Sequence, residues 1–597
     1  MIITKYSVNQ FQINAIIALI QMDNIAIPQI QRPFVWDSTK VRDFIDSLYQ
    51  GYPVGYIITW QNPAVKLKDG TTSKGKQIII DGQQRVLSIM AALLGEKVLD
   101  EEYKKKNITI AFNPDIEKFE VSNPAIVKDK TWIPDISVVF KPDFDLLQFL
   151  ENYCFQNEGV ERNKIFNNLS KLSGIQFNSI GMIQLNSDLD IETVTEIFIR
   201  INSKGAVLSQ ADFAMSKIAV DEKYGGNILQ KAINYFCHLA VEPSFYDKLK
   251  DIDKDFIKTD YFQKMAWLKD DNNDLYDPSY TDMLRVSFTN RFKRGRLQDL
   301  VALLSGRNFE TKQFEEQIAE ESFKMLDDGI KTFMNQNNFK NFVMILNSAG
   351  FIDSSMIRSQ NAINFSYILY LTLKEQGMYQ AKIHSYVRKW FALSVLTGRY
   401  SGSPESQFDY DIKRISELGE NYINDVFKAE LSDAYWDFGL PQQMNTSLAS
   451  SPAFHVFLAS QIKNQDKGFL SRDILVSDLV TLKGDVHHIF PREYLKKYGY
   501  NKNIYNQIAN YVMAQSEINI AIGAKPPADY MKQIFEQCRT GILKYGAINS
   551  DEALRRNLEM NCIPEEIVDM DADNYNDFLE KRRLLISHKI KRYFEIL

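Results

Sequence analysis

At 597 residues the chain is too long for a single hydrophobic core, and at ordinary domain sizes it implies about three or four domains. Its 45% hydrophobic and 24% charged residues are the proportions of an ordinary soluble globular protein. The formal net charge of -6 excludes a global basic field, so any contact with nucleic acid has to be local.

The first twenty residues, MIITKYSVNQFQINAIIALI, have no basic start followed by a long apolar run. No apolar run anywhere approaches the ~18 residues that a membrane span needs, so a cytoplasmic chain with no membrane partner is expected. From residue 1 to about 225, strand-like and helix-like patterns mix. In KQIIIDGQQRVLSIMAALLG, Gln77–Ile80 reads as a short buried strand, Asp81-Gly82 as a turn, and Arg85 to Leu94 as a helix with an apolar stripe. In IETVTEIFIRINSKGAVLSQADFAMSKIAV a helix stops near NSKG, and Ser209 is the expected N-cap of the next one. From about 226 to 440, FQKMAWLK, FVMILNSAGF and INFSYILYLTLKEQG read as core helices, which predicts a helical connector domain. Within it RFKRGR sets Arg291, Lys293, Arg294 and Arg296 around an aromatic; such runs are usually solvated loops but can also meet phosphate. From about 441 to 597 the pattern is mixed again. Residues 481–550 hold nine Lys/Arg against five Asp/Glu, a local +4 that includes Lys496, Lys497 and Lys525.

That basic excess surrounds GDVHHIFPREYL, with two adjacent histidines in a chain that has six. The four cysteines, Cys154, Cys237, Cys538 and Cys562, are far apart and form no C-x-x-C pair, which argues against a zinc ribbon or a disulfide scaffold and suits a reducing compartment. A strand carrying His487 and His488 is followed by a loop rich in Asn and Tyr, a second strand from Asn510 (NYVMAQ) and a helix from about Ser516 that carries Asn519. Alternation along a strand points the two histidines to opposite sides, so one can hold a metal while the other faces substrate. A divalent ion with few protein ligands keeps positions open for phosphate oxygens, and a neutral imidazole can take a proton from water near pH 7. The plain alternative is a His-His pair packed in a core and bonded to carbonyls.

These residues resemble the HNH nuclease motif, the ββα-metal fold. The resemblance implies His487 as first metal ligand, His488 as general base, Asn510 as the residue that ties down the loop, and Asn519 as second metal ligand. The neighbouring Asn501, Asn503 and Asn506 read first as loop-formers, with Asn506 a second candidate for the middle role. The ion implied is Mg²⁺ or Mn²⁺.

No G-x-x-x-x-G-K-[ST] occurs, so a Walker-type NTPase is not supported. IIIDGQQRVLSI is nevertheless a strand, a glycine turn and a helix start with an arginine in its first turn, a combination suited to phosphate. IPQIQRPFVWDSTKVRDFIDSLYQGYPVGYIITW, DGQQR and FIRINSKGAVLSQAD, in that order, are similar to the amino-terminal domain of GmrSD-type restriction proteins, a relative of the ParB/sulfiredoxin fold. The resemblance implies that Arg32, Asp81, Gly82, Gln83, Gln84, Arg85, Arg200, Asn202 and Gly205 bind an NTP, with GTP, ATP and CTP not distinguished. By chemistry Arg32 and Arg85 would meet phosphates, Asp81 a metal or water, and the Gln pair a water or the β/γ-phosphates. Phe34 and Trp36 read as core, and Arg200 serves equally as a buried structural arginine.

The fold expected is α+β and multidomain: a ParB/sulfiredoxin-like domain over 1–225, a mostly helical middle over 226–440, and a ββα-metal motif within a helical domain over 441–597. The function expected is an NTP-responsive, metal-dependent HNH endonuclease of a bacterial restriction system, with modified phage DNA as its partner and a homo-oligomer left open. A ParB-like nucleotide-gated clamp without cleavage and an NTP-independent nuclease toxin are the rival readings.

Overall fold

The computed structural model describes residues 5–597 apart from 23, 27–33, 35, 62–76, 100–104, 187–188, 190–196, 198–208, 222, 272, 274, 314 and 485. Arg32, Arg200, Asn202 and Gly205, and the expected helix end at NSKG, lie outside the described residues. The chain is rich in α-helix with small sheets, and it divides into two compact units. The first comprises residues 1–271, 277–281 and 300–324, and the second comprises 272–276, 282–299 and 325–597. The helical middle expected over 226–440 is therefore shared between the two units. No helix among the described residues is long and apolar enough to cross a membrane.

In the first unit five strands form one mixed sheet. They are β1 (Tyr6–Gln12), β2 (Ile25–Ala26), β3 (Tyr56–Gln61), β4 (Gln77–Asp81) and, after two small pairs, β9 (Ser179–Leu185). The small pairs are β5 (Val98–Leu99) with β6 (Lys105–Lys106), and β7 (Ile110–Asn113) with β8 (Lys118–Val121). The order is β1-β9-β3-β4-β2, with β1 antiparallel to β9, β9 parallel to β3, β3 antiparallel to β4 and β4 parallel to β2. Alternation makes both faces of this sheet apolar. Ile57, Ile79 and Met182 pack into the main core, whereas Ile58, Trp60, Ile80 and Leu185 form a second cluster. The main core is completed by α1 (Ile13–Gln21), α2 (Ser38–Tyr49) and α3 (Gln83–Leu94). α2 starts where the Asp37 side chain accepts from the Lys40 N–H, and it buries Val41, Phe44, Ile45 and Leu48 at helical spacing. Further on, Ser209 caps the helix Gln210–Val220 in a capping box with Asp212. FQKMAWLK is shorter in helix than its apolar content predicts, splitting between Asp260–Lys264 and a 3-10 turn at Ala266–Asp270.

The second unit is mostly helical. Gln360–Glu375 buries every residue from Ala362 to Leu373, including the polar Asn364, Ser366 and Thr372, within a run that is otherwise apolar or aromatic. Tyr575–Ile596 is the last helix. Tyr593 on it donates to the Ala349 carbonyl at 2.6 Å, and Lys463 donates to the Ser348 carbonyl at 2.8 Å. Those bonds join the region after 325 to the region after 441. Two short strands, β10 (Val486–His488) and β11 (Tyr511–Met513), pair antiparallel ahead of the helix Ser516–Ile522.

Candidate functional site

Val486 faces Met513, His487 faces Val512 and His488 faces Tyr511 across the β10/β11 pair. His488 shares its side of the pair with Val486, and its ring stands edge-on to Tyr511 at 5.2 Å. His487 shares the other side with Val512, which belongs to the buried cluster that also holds Ile518 of the following helix. Asn519 is half-buried on that helix.

His488 Nε2 lies 2.9 Å from Asn506 Oδ1. With the amide oxygen as acceptor, Nε2 carries the proton and Nδ1 keeps the lone pair, which is the tautomer a general base at Nδ1 requires. Burial holds the His488 pKa below the ordinary imidazole value; the bond to Asn506 opposes this, while Arg492 and His487 add to it. The ring is therefore neutral at pH 7.

Asn510 is fully buried and closes a 3-10 turn rather than opening the second strand, which begins one residue later. Its Oδ1 accepts from the Phe490 N–H at 2.8 Å, and its Nδ2 donates to the Phe490 and Tyr505 carbonyls, both at 3.1 Å. Asn510 thus clamps the two ends of the loop that separates the strands, and Asn506 touches the imidazole directly.

Arg582 gave no signal in the motif reading. It is fully buried on the last helix, and its guanidinium donates to the carbonyls of Ala509 (2.8 Å), Tyr511 (2.8 Å) and Asn561 (3.0 Å). No carboxylate among the described residues pairs with it, and burial pushes its pKa down to about 10. Two of its three acceptors flank Asn510. Tyr530 donates to the Ile489 carbonyl at 2.8 Å, adding a further buried bond to the same loop.

Among the described residues no three His, Cys, Asp or Glu side chains gather as a metal site. His487 and Asn519 offer one imidazole nitrogen and one amide oxygen as donor atoms. Around this unit Lys496 bonds Glu493 at 3.0 Å and Lys497 is exposed. Lys525 donates to the Ala521 carbonyl at 2.7 Å, at the carboxy-terminal end of the helix Ser516–Ile522.

In the first unit β4 ends at Asp81 and α3 begins at Gln83, two residues earlier than the apolar stripe indicates. Gly82 caps α3 at φ 92, and a Cβ there would lie 3.0 Å from the Ile57 backbone, so both dihedral and space demand glycine. Arg85 reaches back across the neighbouring loop, donating from Nε to the Val54 carbonyl at 2.8 Å and from Nη1 to the Tyr56 carbonyl at 3.1 Å. Asp81 is 3.7 Å from Nη1. Gly55 leaves room for this guanidinium, since a Cβ there would sit 2.8 Å from Nη2. Gln84 accepts from the Trp36 N–H at 3.3 Å, joining the first motif to the second. Gln83 is buried. Phe34 lies in the core, and Trp36 packs against it.

The RFKRGR run is laced with ion pairs. Arg291 pairs with Asp328 at 2.8 Å and Glu375 at 3.1 Å, Lys293 with Glu375 at 3.3 Å, and Arg294 with Asp299 at 3.1 Å. Arg296 is exposed. Most of the charge in this run is balanced by carboxylates of the same unit.

A glycine-turned strand–helix with a phosphate-type arginine, and a strand pair with adjacent histidines ahead of a helix, define a multidomain protein with two separate candidate sites. Residues 14–219 match the family model for the GmrSD restriction endonuclease, N-terminal domain, so the amino-terminal part of the chain is similar to that domain. Over nearly its whole length the chain is also similar to the uncharacterized protein MJ0686 of Methanocaldococcus jannaschii. The two are 22% identical over 636 residues, covering 95% of this chain and 96% of that protein.

Proposed function

We propose that the protein is an NTP-responsive, metal-dependent HNH endonuclease of a bacterial anti-phage restriction system, acting in the cytoplasm on modified phage DNA. The observation that carries this reading is the loop clamped by Asn510, which presents a neutral His488 on a strand pair followed by the helix of Asn519. A core-packed histidine pair would not need a buried Asn bonded to both loop ends and a second Asn holding the imidazole. The amino-terminal GmrSD-type domain adds restriction as the context.

In the cleavage step His488 takes a proton from water through Nδ1 as that water attacks phosphorus. Asn506 holds the ring and its tautomer, and Asn510 holds the loop. His487 and Asn519 would hold the divalent ion, which when bound supplies positive charge at the scissile phosphate and its leaving oxygen. Lys496, Lys497 and Lys525 are the proposed DNA contacts beside this site. The RFKRGR cations contribute to DNA contact mainly through Arg296, because the others are already paired.

The DGQQR turn binds and hydrolyses the NTP. Arg85 is anchored by two backbone carbonyls, so its fork meets phosphate pre-positioned, with Asp81 beside it. Arg85→Ala is expected to weaken NTP binding by about 10- to 100-fold, the worth of one or two charge-assisted bonds. NTP titration of wild type, Arg85→Ala and Arg85→Lys, each with its melting temperature, checks this. Unchanged NTP affinity in a folded Arg85→Ala protein contradicts the assignment.

A further inference from the structure

At the carboxy-terminal end of the helix Gln336–Ser348, two half-buried cations, Arg388 and Lys463, meet at Ser348, with the neutral His384 imidazole beside Arg388. Lys463 donates to the Ser348 carbonyl at 2.8 Å, and Arg388 Nη1 donates to Ser348 Oγ at 3.3 Å. His384 lies one turn before Arg388 on the helix Gln380–Thr397, on the same side. None of the three has a carboxylate within 4.0 Å among the described residues. Two other buried cations of this unit are paired with carboxylates, Arg399 with Asp411 and Lys589 with Asp466, and Arg582 is satisfied by three backbone carbonyls. Burial lowers the pKa of all three, and Arg388 lowers those of His384 and Lys463 further; Tyr593 alone acts the other way, on Arg388. Lys389, the next residue, lies near Glu595 and donates to its backbone carbonyl at 3.2 Å.

One cation at a helix carboxy-terminus is ordinary, since the helix end carries about half a negative charge. A second cation, Arg388, which repels Lys463, exceeds what that end can balance. Partly buried charges are normally paired, and an anion from outside the chain would pair these two. The forked guanidinium and the ammonium suit phosphate, while the Ser348 hydroxyl donates to the Ile345 carbonyl at 2.7 Å and only steadies Arg388.

We propose that His384, Arg388 and Lys463 bind a phosphate of the DNA backbone, a contact additional to those beside the histidine strands. The proposal rests on the reading of this protein as one that acts on DNA. Position supports that source. Tyr593 bonds Ala349, next to Ser348, and lies eleven residues along the last helix from Arg582, which grips the Asn510 loop. At about 1.5 Å per residue that is ~16 Å along the helix, so cluster and loop fall within about one duplex turn of ~34 Å.

The test is binding of a short duplex by His488→Ala protein over a range of salt, with and without Arg388→Gln and Lys463→Gln. Gln keeps an amide donor for Ser348 while removing the charge. The slope of log affinity against log salt is expected to become shallower by about 0.9 for each cation removed, with weaker binding at every salt. If the double variant does not fold, Lys463→Gln alone decides, with a change of about 0.9. Unchanged affinity and slope in a variant of unchanged melting temperature overturn the proposal. Stabilisation of wild type but not of the variant by inorganic phosphate, with the DNA slope unchanged, assigns the site to a free anion and also overturns it. Because binding is read without cleavage, an error in the nuclease assignment leaves this result intact.

Discussion

DNA cleavage is expected to fall by about 10²- to 10⁴-fold when His488 is replaced by Ala, the usual contribution of a positioned general base. The ring is neutral, its Nε2 is taken by Asn506, and its Nδ1 is left to accept a proton. No second histidine shares its side of the strand pair, because alternation sends His487 the other way. The fold should hardly notice the change: one side-chain bond and an edge-on contact with Tyr511 are lost, about 1 kcal/mol. Melting temperature and single-turnover cleavage, measured on the same preparation, separate the two effects. Cleavage within a few-fold of wild type would remove His488 from the mechanism.

The largest effect on stability is expected at Arg582. Replacing it with Met takes a donor from the buried carbonyls of Ala509, Tyr511 and Asn561, each loss costing ~1–3 kcal/mol. Relief of an unpaired buried charge offsets part of that, leaving roughly 3 kcal/mol. In a unit of this size the loss corresponds to about 5 °C in Tm. Since two of the carbonyls flank Asn510, cleavage should fall further than the lost stability explains, and Arg582→Lys should recover more of kcat than of Tm. Equal recovery of both by Lys would make Arg582 a purely structural residue.

The strand–turn–helix at DGQQR was readable because each part has a local cause: an Ile run, a glycine that the turn requires, and a stripe of apolar residues. Only the start of α3 was misplaced, because Gln83 and Gln84 carry no apolar signal and yet lie within the helix. The two short strands and the helix after them were readable from spacing, although Asn510 proved to end a turn instead of starting a strand. The division of the chain was not readable. Nothing in the sequence shows that Lys463 and Tyr593 bond the carbonyls of Ser348 and Ala349, which draws much of the middle into the second unit. RFKRGR shows the same limit from the other side: its partners Asp328 and Glu375 are distant in sequence, so a balanced network reads as a free basic run. Arg582 sits in EKRRLLISHK, where three consecutive basic residues look solvated. The usable signal was its spacing from Phe578 and Ile586, four residues to either side, which places an arginine on the apolar face of its helix.

The central claim is that a divalent ion, the histidine strands and DNA meet in one hydrolytic site. The most direct measurement is cleavage of modified phage DNA and plain plasmid by the full chain in EDTA, then after titration with Mn²⁺ or Mg²⁺, with and without each NTP. The predicted result is no cutting in EDTA and cutting of modified DNA restored by metal, with a rate that one NTP changes. Cutting that persists in EDTA, or DNA left intact at every metal and NTP concentration, would contradict it.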